Sequence, residues 1–175
     1  FDEQDPEPGY DGMQHGFFAK KPDGHFLIWA PGKRPTPPSD DMAWILNPGT
    51  DLVLLMHMRP SGKPELVSPS VGLFFTEKAP TQFPVILRLG SPTNEIPKGK
   101  RAHVVQESFH LPVDVNALSV FPHAHYLCRE MEGYALLPDG IKKWLIHIEK
   151  WDFDWQDEYR YESPIFLPRG TKLVM

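Results

Sequence analysis

The chain has 175 residues, 41% of them hydrophobic and 23% charged, with a formal net charge of −5 at pH 7. This is the composition of a globular protein able to bury a real core. The negative balance, unbroken by any Lys/Arg-rich block, argues against a nucleic-acid partner, no apolar run is long enough to span a bilayer, and Cys128 as the single cysteine excludes an internal disulfide framework and a thiolate metal cluster.

Twenty prolines and 13 glycines leave little room for a long amphipathic helix. Pro-x-Gly recurs at Pro22-Asp23-Gly24, Pro60-Ser61-Gly62, Pro97-Lys98-Gly99, Pro138-Asp139-Gly140 and Pro168-Arg169-Gly170. Proline pre-sets φ for the second position of a type I turn, and glycine suits the fourth. Short runs of Val, Ile, Leu, Phe, Trp and Tyr lie between these turns, which predicts an all-β protein of antiparallel, jelly-roll-like sandwiches.

In chain order, residues 1–24 read as an acidic surface loop. Strands are expected over 25–29, 42–46, 51–58, 70–76 and 85–89. The run D-L-V-L-L-M-H-M over 51–58 is nearly continuously apolar, as in a strand buried on both faces, with His57 beside Val53 and Leu55. Clustered proline and polar residues predict a domain boundary near Ala79, dividing the chain into 1–79 and 80–175. Further strands are expected over 102–109 and 113–121, and a hairpin over 131–137 and 141–150 around Pro138-Asp139-Gly140. The alternating run W-D-F-D-W-Q-D-E-Y-R-Y predicts a strand with Trp151, Phe153 and Trp155 on one core-facing side. The chain ends in T-K-L-V-M, which reads as a strand just beginning. Both ends are expected to be cuts in a longer protein.

The segment S-V-F-P-H-A-H-Y-L-C carries the chemistry. In an extended chain side chains alternate, so His123 and His125 share a face and their Cα atoms lie roughly 6.5–7 Å apart. One His on an apolar face is usually a hydrogen-bonded core residue; two on the same face point to a shared metal ion. Imidazole alone suits zinc, copper, iron or nickel, and the third ligand decides. His103, His110 and His147 read as sheet or surface residues, and Cys128 as a small apolar one.

One completion is Glu130, which gives H-x-H-x4-E and resembles the first cupin motif. Cupins place glycine where this chain has Ala117 and Leu137, and their second motif finds no histidine at the matching distance from Pro138-Asp139-Gly140. On that alternative the chain is a mononuclear iron or manganese enzyme using His123, His125 and Glu130.

The other completion uses the whole chain. L-V-L-L-M-H-M around His57, then I-P-K-G-K, then P-H-A-H-Y-L around His123 and His125 resemble the copper type II, ascorbate-dependent monooxygenases in order and approximate spacing. These include the peptidylglycine and dopamine hydroxylating enzymes. The W-A-P and P-T-P-P stretches before His57 fit the same pattern, and a chain without disulfides is more similar to bacterial members. The resemblance implies two β-sandwich domains with two copper sites. His57 would ligate an electron-transfer copper, and His123 and His125 the copper that activates O2 to hydroxylate a C–H bond. It also implies ascorbate or another one-electron reductant, an extracytoplasmic location, and a fused thioredoxin-like or cytochrome-like module as electron donor. No general acid or base beyond the metal ligands is implied.

Both copper sites are incomplete by that pattern. The family's first copper also takes a His-His pair upstream of His57, and its second a Met in a later strand; neither has a match here. Leu55 and Met58 stand where the family has Gln and Tyr. Phe121 stands where peptide-hydroxylating members hold a substrate carboxylate with Arg, so a peptidylglycine substrate is not expected. A third reading is a non-catalytic β-sandwich binding module whose aromatic stripe meets a glycan.

Overall fold

A computed structural model describes Trp29, residues 41–49, Leu52, Leu54, Met56, Met58, residues 60–90 and residues 96–175. These residues are all-β, with no helix among them and antiparallel pairing in every sheet. They fall into two units: one runs up to Ile86, and the other holds Trp29 and the chain from Leu87 onward.

In the first unit the described residues form turns and extended chain. The strands expected over 42–46 and 70–76 are not formed there, nor is the one over 85–89, which crosses into the second unit, and among the described residues of the first unit the pairing is one isolated parallel bridge, Met42 to Gln82. Pro48, Pro69 and Pro84 stand at or near the ends of these runs, and each lacks the N–H a ladder would use. Of the strand expected over 51–58, Leu52, Leu54, Met56 and Met58 are exposed and outside any ladder, contrary to burial on both faces. His57 lies outside the described residues, as does most of the strand expected over 25–29.

The second unit holds the sheets. The strands are β1 (Ser108–His110), β2 (Val115–Val120), β3 (Met131–Leu136), β4 (Lys142–Ile148), β5 (Tyr159–Leu167) and β6 (Lys172–Val174). A four-stranded sheet has the order β1-β6-β3-β4, and β2 and β5 form a separate pair. β2, β3 and β4 sit within the runs expected for them. β1 covers only the end of the expected 102–109 strand, and T-K-L-V-M forms β6.

The β3–β4 hairpin is dictated by its turn. Gly140 donates its N–H to the Leu137 carbonyl at 2.9 Å, Leu137 donates to Ile141 at 2.8 Å, and Gly140 has φ of 85°. A type I turn closed by a left-handed residue is the three-residue hairpin loop, and glycine takes that φ without a Cβ clash. Within β3, Gly133 packs closely under β4: a Cβ there would lie 3.0 Å from the Ile146 Cγ2. The β3–β4 register shifts at this point, as a bulge does.

The core joins the two sheets. Leu111, Ala135 and Leu167 are buried at its centre, and Val115, Ala117 and Ile165 of the pair and Leu145 and Leu173 of the larger sheet pack against them. Tyr161 of β5 reaches across and donates its hydroxyl to the Leu145 carbonyl at 3.0 Å.

The β2–β5 pair leads toward the histidines. Val115 pairs with Leu167 and Ala117 with Ile165, but Ser119 pairs with Arg160 and Val120 with Tyr159. The irregularity takes up several residues of β5 opposite Leu118, and Pro164, which lacks an N–H for the ladder, lies within it. Beyond it the pair is regular again and runs out toward the H-A-H segment on one side and residues 151–158 on the other.

The strand expected through the aromatic run is replaced over 151–158 by a structured loop; β5 begins only at Tyr159. The loop is turned by Asp152, whose carboxylate accepts from the Asp154 N–H at 2.9 Å while its carbonyl accepts from Trp155 at 3.2 Å. A short side chain that bonds the backbone two residues on stabilises a turn over an extended chain. The aromatic stripe is thereby divided: Trp151 is buried, Phe153 half-buried, and Trp155 72% exposed. Among the described residues no helix is long and apolar enough to cross a membrane.

Candidate metal centre

β2 ends at Val120, and His123 and His125 lie in the extended connection after it. The chain then turns, with the Cys128 N–H donated to the His125 carbonyl at 3.0 Å, before entering β3. Pro122 beneath the segment is buried, whereas both imidazoles are exposed. Their ring centroids are 5.2 Å apart with the planes at 90°.

That separation suits one ion. A metal–nitrogen bond is about 2.0–2.1 Å, and the ring centre lies about 1.1 Å further out, so two imidazoles on a tetrahedral ion have centroids roughly 5 Å apart. The two rings lie beside one another, edge to face, just past the end of the strand.

The 151–158 loop lies against this segment beyond the last β2–β5 pair, Val120–Tyr159, and their side chains meet. His123 Nδ1 is 2.7 Å from Gln156 Oε1, and Gln156 Nε2 donates to the Phe153 carbonyl at 2.7 Å. Phe153 meets the His125 ring at 5.8 Å, nearly perpendicular, and the Tyr126 ring at 4.2 Å. One residue inward, Ser119 donates to Glu158 Oε1 at 2.7 Å, and Arg160 Nε lies 3.5 Å from the same oxygen. The Trp151 N–H donates to the Arg129 carbonyl at 2.8 Å and ties the loop to the chain beyond the histidines. An open cleft of about 410 Å³ lies beside them, lined by Tyr126, Lys150, Trp151, Asp152, Phe153 and Asp154. Sequence reasoning does not single out Gln156, and it sees Phe153 only as part of an aromatic stripe; their contacts with the histidines depend on how distant segments meet, which one chain's sequence does not display.

Glu130 takes a different position from the one a third ligand would need. Its Oε1 is 3.0 Å from His147 Nε2, and Glu132 lies 3.9 Å from the same nitrogen. The ligand atoms of these three exposed residues lie within 4.8 Å of one another, whereas no third His, Cys, Asp or Glu among the described residues joins His123 and His125 within that distance. The cause is the turn after His125: residues 126–128 redirect the chain into β3, where Met131 and Glu132 pair with Ile148 and His147.

The Glu130 hydrogen bond raises the His147 pKa above its ordinary 6.5; desolvation opposes the shift, and the charges of Glu132, Glu130 and Glu149 add to it. A group whose folded pKa is raised favours the folded state fully below its unfolded value, and that contribution is lost as pH rises through the folded one. The imidazole proton signals of His147 should accordingly titrate above 6.5 in NMR and return toward it in Glu130→Gln. An unshifted midpoint in the wild type would contradict the pairing. Trp144 stacks on the same ring at 5.2 Å.

Burial pushes the Cys128 thiol above its ordinary 9.0, against smaller opposing effects of backbone hydrogen bonds from Glu130 and Arg129. Without a metal it is therefore a protonated thiol at neutral pH.

No family model, curated protein or solved structure matches the chain.

Proposed function

We propose that the chain forms part of a copper-dependent monooxygenase, one that hydroxylates a C–H bond of a small organic substrate with O2 and an external one-electron reductant such as ascorbate. The observation that supports the proposal is the adjacency of the His123 and His125 rings, 5.2 Å apart between centroids. The resemblance around His57, His123 and His125 selects copper from the metals that imidazole suits. In this reading His123 and His125 hold the O2-activating copper and His57 belongs to the electron-transfer copper. In this reading the second unit is a sandwich domain of an extracytoplasmic enzyme, whose electron donor is a thioredoxin-like or cytochrome-like module.

Copper, when bound, supplies the redox chemistry. The chain's own residues would hold it: two exposed imidazoles, contacted by Gln156 and Phe153 of the 151–158 loop, with an open cleft of aromatic and charged residues alongside. By the family pattern His123 and His125 would be two of the ligands of that ion.

The test is redox cycling. Cu(II)-loaded protein should show an EPR signal with nitrogen coupling, lose it on addition of ascorbate without O2, and regain it when O2 is admitted. Protein that takes up no copper, or whose signal ascorbate cannot bleach, would sink the reading.

A further inference from the structure

The contacts between Gln156, His123 and Phe153 contain more information than a spacing. The Phe153 carbonyl can only accept a hydrogen bond. The Gln156 side-chain atom 2.7 Å from it must therefore be the amide nitrogen. The amide oxygen is thereby turned toward His123 Nδ1, also at 2.7 Å. An amide oxygen cannot donate either, so the hydrogen in that bond resides on His123 Nδ1. Neutral imidazole carries one N–H, and with Nδ1 protonated its lone pair is on Nε2.

We propose that Gln156 is a positioning residue which locks His123 in its Nδ1–H tautomer and so presents Nε2 as the donor to the metal. The second half rests on the copper reading of the site; the first does not. Histidines that bind metals characteristically donate their other ring N–H to a neighbouring acceptor, which sets ring orientation and raises ligand basicity. Gln156 occupies that place here. Its own orientation is fixed within the loop, since the carbonyl it bonds lies three residues back along the same turn. Phe153, which supplies that carbonyl, also packs its ring edge-on against His125. The same short loop thus orients both imidazoles, one by a hydrogen bond and the other by packing.

The experiment uses ¹⁵N-histidine-labelled protein without metal, at a pH of about 8 where an imidazole of ordinary pKa is neutral. Long-range ¹H–¹⁵N correlation then distinguishes the protonated from the bare ring nitrogen. The wild type should show His123 protonated at Nδ1. Gln156→Leu should release it toward the Nε2–H form, and Gln156→Glu, which keeps an acceptor, should retain Nδ1–H. Copper affinity, measured on the same three proteins, should fall about 10–100-fold in Gln156→Leu, the range typical of lost outer-shell partners, and hold within a few-fold in Gln156→Glu.

Thermal unfolding of each variant separates a local effect from a misfolded loop. A wild-type His123 bearing its proton on Nε2 overturns the proposal. So does a Gln156→Leu variant, still folded, with unchanged tautomer and copper affinity. Should the tautomer follow Gln156 while wild-type protein takes no copper, the positioning role is upheld and the metal reading fails by itself.

Discussion

Replacing either His123 or His125 by alanine should weaken copper binding by more than about 100-fold, beyond the range that outer-shell changes cost. With two imidazoles at the centre of the site, removal of one leaves a single nitrogen donor that any surface histidine equals. Glu130→Gln should leave the affinity within a few-fold of the wild type, because the Glu130 carboxylate is engaged with His147 and not with the histidine pair. Isothermal titration with Cu(II), run on all four proteins, reads both effects. Loss of binding in Glu130→Gln to the same degree would favour the cupin-like arrangement, in which Glu130 leaves His147 to join His123 and His125; iron and manganese would then be the metals to test.

The second large effect concerns stability. Leu167 is 1% exposed at the end of β5, in the cluster with Leu111 and Ala135 that joins the two sheets. Leu167→Ala should destabilise the second unit by about 2–5 kcal/mol, the cost of lost transfer energy together with an unfilled cavity. Denaturant unfolding followed by tryptophan fluorescence measures it, since Trp151 is buried within the same unit. Leu167 pairs with Val115 at one end of the β2–β5 ladder, while His123 and Gln156 stand beyond its other end. The surviving folded fraction should therefore bind copper with unchanged affinity. A change under about 0.5 kcal/mol, the size usual for surface substitutions, would contradict the burial of this side chain.

Parts of this arrangement are legible in the sequence. The Pro-Asp-Gly turn between two β-rich runs announces the β3–β4 hairpin, because turn chemistry is local. The H-x-H spacing announces two neighbouring rings, because that spacing is local too. What is not legible depends on pairing between distant segments. The alternating aromatics at 151–155 match a strand, yet the Asp152 turn competes for the same backbone and wins. Gln156 looks like one polar residue among several; only the meeting of distant segments sets it beside His123. Glu130 stands at a persuasive sequence distance from His125, and the intervening turn directs it to His147. In the first unit, prolines stand beside runs whose composition alone favours strands.

The measurement that tests the central claim most directly is pulsed EPR of the Cu(II)-bound protein, counting coordinated imidazoles through their remote nitrogens. Two imidazoles held by one ion, falling to one in His123→Ala and one in His125→Ala, is the predicted result. A count that neither substitution changes would show that copper binds elsewhere, and the pairing of His123 and His125 would not be a metal site.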